Sequence, residues 1–474
     1  MPERLNYNLD SGEVKIDAMI RAMAYVIFAG VILFTLQAFV CLMFWGRVTN
    51  TIATNSHTMY YSQFYLKYCS IFTSVALAAY YILKTLRFCG FQKQVHKETI
   101  LDNIILLPFA AMLVWAFIAT LKSPNFEKSL YGSGYINEGF FTVLQYATVF
   151  LSAYTVRKEI AFSKKTVIYI FIALAGIIEI TLLCAEAFAL PIRSSVHIGV
   201  FNNSNHFGYF LAMSATMTLC ALAYSKKVWQ SAVASLLLIL NVYYLFVSNA
   251  LGANLAYLGG IAFVICSGFI SKKLNWKRLL FALGVSAAVT LVIELSGRTN
   301  MWKSYLELLD DVKRILLNAS SGGDDLNSAG TSRFGLWRRT IKVSAKTPWF
   351  GKGLDLYYAN NIYDPTLDVA HNEYLTMASN IGIPGLVLYA ITLVWWFARA
   401  VRARKFLSAY DLILLCGAFA YLISAAFGNS FTYTYPYFLL FFALSIQPRK
   451  SRDSEYQVLQ QLNAEYNFAG NTHT

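Results

Sequence analysis

The sequence predicts an all-α protein, a polytopic transmembrane helical bundle of about twelve spans with one large helical loop outside the membrane. Three observations carry that reading. Of the 474 residues 57% are hydrophobic and only 14% charged, apolar runs of span length recur along the chain, and lysines and arginines alternate between crowded and sparse connections. A soluble protein of this size cannot bury so much apolar surface in its cores.

About 20 mostly apolar residues cross a hydrocarbon core of roughly 30 Å as a helix. Such runs lie near 22 to 45, 65 to 83, 101 to 121, 139 to 156, 166 to 188, 206 to 224, 228 to 248, 251 to 270, 279 to 296, 373 to 397, 409 to 427 and 433 to 447. The first follows Lys15 and Arg21, exceeds a signal-peptide apolar region and lacks a small-x-small cleavage site. It is expected to stay as an anchor, with the mature chain starting near Met1.

One set of connections holds 24 of the 39 lysines and arginines, among them Lys84, Arg87, Arg157, Lys158, Lys164, Lys272 and Arg399. The other set holds Arg47, Lys67, Lys122, Lys128 and Arg193, apart from ten in the loop 297–372. Basic loops stay cytoplasmic, so both termini are expected there and the loop outside. The chain then divides into nine spans in 1–296, the loop 297–372, three spans in 373–447 and a cytoplasmic tail 448–474. The net charge of +14 reads as a topology signal, and no basic domain outside the membrane exists to grip nucleic acid. The seven cysteines show no CxxC spacing and none falls in the loop, which argues against a disulfide scaffold or a zinc site.

Connections elsewhere are short, so chemistry is expected in the loop. Residues 299 to 317 have the pattern of an amphipathic helix, followed by a turn at 320 to 325 rich in Gly, Ser and Asp. A second helix is expected from Ser332 to Lys346, stopped by Pro348, Gly351 and Gly353. A turn with Pro365 then leads to Asp368, an expected N-cap for a helix carrying His371 in its first turn.

The second loop helix carries Arg333, Arg338, Arg339, Lys342 and Lys346 without an acidic residue. Arginine donates in a planar fork that matches phosphate oxygens, and Trp337 shares a face with Arg333 at i, i+4. A basic helix attracted to anionic lipid has the same pattern. His371 near the positive end of a helix dipole is disfavoured as imidazolium and suited to act as a base, although loop carbonyls could equally hold it. Asn372 beside it could orient the ring or bind a sugar hydroxyl. Asn202, Asn203, Ser204, Asn205 and His206 open the sixth span behind Arg193 and His197. That run fits either an N-cap or the wall of a sugar pocket. Glu138, Glu179 and Glu186 lie in or beside spans, where a carboxylate is costly and usually has a partner or task. Arg193 is an expected partner for Glu186, and Glu138 a candidate substrate contact.

Together these residues form a pattern. Arg333-x-x-x-Trp337, Thr347-Pro348-Trp349-Phe350-Gly351-Lys352-Gly353, His371-Asn372-Glu373-Tyr374-Leu375 and Gly382-Ile383-Pro384-Gly385 occur in that order, after Gly199-Val200-Phe201-Asn202-Asn203-Ser204-Asn205-His206-Phe207. The chain from about residue 135 to 445 thereby resembles the O-antigen ligase and polymerase superfamily. The resemblance implies a bacterial GT-C-like glycosyltransferase in the cytoplasmic membrane. Such an enzyme moves a glycan from an undecaprenyl diphosphate carrier to a hydroxyl of a lipid or glycan acceptor on the outer face. It implies His371 as the general base, Arg333 on the diphosphate, inversion at the anomeric carbon, and no metal or other cofactor. Members often carry a Ser-Arg pair where this chain reads Ser248-Asn249-Ala250. Arg193, Arg298, Arg338 or Arg339 would then supply the second cation. Arg298-x-x-x-Trp302 repeats the Arg-x-x-x-Trp pattern without the glycine turn after it.

Two other classes stand against this reading. A flippase for lipid-linked sugars would show internal repeats and charges at the midplane, and this chain has no visible repeat. A metal-dependent transferase would carry acidic residues in its first outer loop, whereas residues 46 to 64 hold no Asp or Glu.

Overall fold

The computed structural model describes residues 11–44, 55–91, 102–132, 137–188, 198–201, 203–272, 274–318, 333–355, 370–429 and 432–447. The first half runs through α1 (Ser11–Thr35), α2 (Gln37–Phe44), α3 (Asn55–Phe91), α4 (Leu106–Leu121), α5 (Phe126–Tyr131), α6 (Phe140–Glu159), α7 (Ser163–Ala187) and α8 (Ser204–Tyr224). The second runs through α9 (Val228–Val247), α10 (Leu251–Ser271), α11 (Trp276–Leu295), α12 (Met301–Asn318), α13 (Arg333–Lys346), α14 (Glu373–Arg402), α15 (Ala409–Ala425) and α16 (Tyr435–Ser445). No strand occurs among the described residues.

Among the described residues, eight helices are long and apolar enough to cross a membrane: α1, α3, α7 to α11 and α14. The shorter α4, α15 and α16 are apolar as well, and the expected span at 139 to 156 falls on α6. Exposed Tyr68, Ile71, Phe72, Val75 and Ile82 on α3, with Leu280, Leu291 and Val292 on α11, form the apolar outer surface that a bilayer covers. The seven cysteines are free thiols.

The middle of the bundle belongs to α8 and α16. All 11 residues of α16 are buried, yet at 1.5 Å per residue it is only about 16 Å long. It is apolar on every side because protein surrounds it on every side. Aromatic rings pack it in place: Phe171 of α7 lies 5.0 Å from Phe210 of α8 and 4.8 Å from Phe441 of α16.

Several of the basic residues assigned to one side gather at one end of the bundle. There Lys84 meets Glu159 at 2.8 Å, Arg87 meets Asp17 at 2.6 Å and Lys164 meets Asp411 at 2.5 Å, while Lys158 pairs with Asp102. Arg399 adds a hydrogen bond to the Asp102 carbonyl at 2.9 Å. These bonds tie α1, α3, α6, α7, α14, α15 and the segment before α4 together where the apolar spans end.

At the opposite end α14 is broken, and the break locks the loop. Gly382 has φ 77° and ψ 174°, and Pro384 follows within the same helix. Proline has no N–H and a residue in that conformation ends the helical ladder, so Ser379 and Asn380 keep unused carbonyls. The turn after α13 fills them. Lys352 N donates to Ser379 O at 2.8 Å, Gly353 N to Asn380 O at 2.9 Å, and Ile383 N returns a bond to Pro348 O at 2.8 Å. Gly351 (φ 64°) and Gly353 (φ 102°) bend the turn into this register. Trp115 of α4 stacks on Phe350 at 5.0 Å and donates to Ile381 O at 3.0 Å, and Ser123 donates to Lys352 O at 3.3 Å. The two glycine-containing motifs, 347–353 and 382–385, are thus one structural element.

Candidate functional site

The expectation of His371 in the first turn of a helix is corrected. The N-cap is Asn372, whose Oδ1 accepts from Leu375 N at 3.0 Å, and α14 starts at Glu373. His371 precedes the cap with φ 48°, a left-handed conformation uncommon for a residue with a side chain. It is half-buried. The expected cap Asp368, with Pro365, lies outside the described residues. Asn372 also donates through Nδ2 to the Ala426 carbonyl at 3.0 Å. Both ends of its amide therefore hold the His371 segment against the end of α15.

Arg333 opens α13 and Trp337 follows one turn later, both half-buried, with α13 packed on α14. Arg333 acts electrostatically on Tyr209 of α8, whose hydroxyl donates to the Phe427 carbonyl at 2.7 Å. The Trp337 ring lies 6.5 Å from the Phe427 ring. Its indole Nε1 is buried with no hydrogen-bond partner among the described residues. A buried donor without an acceptor is costly, and this one stands one turn from Arg333. Arg338 is half-buried, while Arg339, Lys342 and Lys346 are exposed, as a solvated face requires.

The asparagine run divides. Asn203 caps α8, its Oδ1 accepting from Asn205 N at 2.7 Å, so the capping reading describes this residue. Asn205 sits half-buried in the first turn. His206 interacts electrostatically with His371 and packs its ring 5.8 Å from Tyr433 and 6.3 Å from Tyr209. Asn202, Arg193, His197 and the turn at 320 to 325 lie outside the described residues. Glu186 accepts from Arg298 at 3.4 Å, and its expected partner Arg193 is not among the described residues. Arg298 also donates to Tyr243, and Trp302 is exposed.

Three segments remote in sequence therefore meet: the start of α8, the start of α13 and the residues before α14. Close backbone approach makes this possible. A Cβ on Gly252 would lie 2.6 Å from Phe427 Cβ, and one on Gly208 would lie 2.8 Å from Ala250 Cβ. The second observation puts Ala250, beside the missing arginine, in the wall that carries Tyr209. Tyr209, Phe427 and Tyr433 were missed by the sequence reading. The spacing of Tyr209 from His206 at i, i+3 was the available signal.

Glu138 stands elsewhere, before α6, in a cavity that it shares with Asp355 and Glu373. It accepts from Tyr146 at 2.5 Å. Burial holds its carboxyl well above the ordinary range, and the nearby Asp355 and Glu373 push the same way.

Fold and site together define a multi-pass, all-α membrane protein with a composite polar site at one end of its bundle. Residues 198–390 match the family model of the O-antigen ligases, a stretch that contains all three converging segments. The match covers less than half of the chain; it is consistent with the O-antigen ligase superfamily and supports a membrane enzyme of ligase or polymerase type. Among curated proteins, none matches the chain.

Proposed function

We propose that this protein transfers a glycan from an undecaprenyl diphosphate carrier to an acceptor hydroxyl at the outer face of a bacterial cytoplasmic membrane, with both termini inside. The observation that carries the proposal is the meeting of Arg333, Trp337, Tyr209, His206 and His371 at one end of the bundle. His371 takes the proton of the acceptor hydroxyl while that oxygen attacks the anomeric carbon from the face opposite the diphosphate. The bond from that carbon to the diphosphate oxygen breaks, and its electron pair leaves with the carrier. The configuration inverts. A leaving diphosphate needs no proton if cations meet its charge, and Arg333 supplies one in a fork that fits two oxygens. The unpartnered Trp337 Nε1 is a further donor for it. Asn372 and Asn203 then serve as positioning residues, since their side chains fasten His371 and α8.

The loop 297–372 is the catalytic insert between nine and three spans, and the tail 448–474 is cytoplasmic. The same chemistry joins repeat units when the acceptor is itself carrier-linked. Incubation with a defined undecaprenyl-linked donor separates the two: a single transfer product marks a ligase and a ladder marks a polymerase. Activity is expected to survive EDTA, and a reproducible divalent-cation requirement would overturn the proposed mechanism.

A further inference from the structure

A cavity between α4, α6, α14 and α16 has no role in the reaction as described. It encloses about 100 Å³, several times the ~10–15 Å³ that a single water needs. One end carries the carboxyl groups of Glu138, Asp355 and Glu373, with Asn380 and Asn429. Glu373 accepts from Tyr421 at 2.7 Å and from Tyr389 at 3.1 Å. Asn380 Oδ1 is buried and without a hydrogen-bond partner among the described residues. Among the described residues, no Lys, Arg or His lines the cavity. The other end is apolar. Phe109, Met112, Leu113 and Ala116 follow one face of α4 at i, i+3, i+4 and i+7, a track of about 10 Å at the helical rise.

We propose that this cavity is an acceptor pocket for an amphiphile with an uncharged, hydroxyl-rich head and an alkyl chain. The proposal rests on the transfer reaction above. Carboxyl oxygens and the unmet Asn380 oxygen accept hydrogen bonds from sugar hydroxyls, and the α4 track takes the chain. A phosphate head finds no cation there, while the basic α13 attracts one, so the polar lining sorts acceptor from donor. Glu373 is the first residue of α14, two after His371, so the cavity abuts the segment that carries the base.

The test uses the full chain in nanodiscs and two probes below their micelle concentrations, octyl glucoside and octyl phosphate. Octyl glucoside is expected to bind at least tenfold more tightly than octyl phosphate. Ala116→Phe and Val143→Phe, each filling the cavity, are expected to weaken glucoside binding tenfold or more with thermal unfolding unchanged. Equal binding of the two probes, or full glucoside binding by a folded cavity-filled variant, overturns the pocket. In turnover, octyl glucoside is expected to raise the acceptor KM and leave the donor KM alone; binding without that competition overturns the acceptor assignment. A chain that transfers no glycan at all removes the proposed function, and the glucoside preference still decides whether the cavity takes glycolipid.

Discussion

Gly382→Ala tests the lock on which the site is built. With φ 77° and ψ 174° the residue occupies a region that is essentially glycine-only. A Cβ there would stand 2.0 Å from the Trp349 carbonyl oxygen, a backbone atom that cannot swing aside. The dihedral strain costs about 1 to 3 kcal/mol. Relieving the clash moves the turn away and breaks its three backbone bonds to α14, at about 1 kcal/mol each. The sum of about 4 to 6 kcal/mol corresponds to a shift of roughly 10³ to 10⁴ in the population of the locked turn. Hydrogen exchange reads it directly, because the amides of Lys352 and Gly353 are the donors. Their protection is expected to fall by a factor in that range, and glycan transfer with it, while the spans still insert. Gly284→Ala on α11 is the control, since a Cβ there meets nothing within 4 Å. Full amide protection in a folded Gly382→Ala protein would refute the argument.

Other perturbations address single residues. His371→Ala is expected to lower transfer by about 10² to 10⁴ without loss of membrane insertion, and normal turnover by the variant would sink the base assignment. Arg333→Lys keeps the charge and loses the fork, so a drop of about tenfold or more is expected; unchanged rates at saturating donor would remove the two-oxygen contact. Asn372→Ala removes an N-cap and the bond to Ala426, together about 2 kcal/mol of local stability. Its expected signature is faster exchange of the Leu375 amide with reduced kcat, and unaltered exchange would show that the cap contributes nothing.

The sequence by itself determined the helices and where the residues of the proposed chemistry fall on them. Apolar runs, the basic residues between them and the helix pattern at 333 to 346 are local properties, each legible within a window of residues. The cap on α8 at Asn203 was legible for the same reason. Tertiary structure decided the rest. The short α16 reads as a weak span because its burial comes from neighbours rather than from its length. His371 left its expected helix because Asn372 gains both a cap and a partner at Ala426, and no spacing rule contains Ala426. Arg298, 112 residues from Glu186 in sequence, meets it only through folding. The two glycine motifs were visible as residues, but their union was not. A break at Gly382 frees carbonyls, and only packing decides which distant N–H groups answer them.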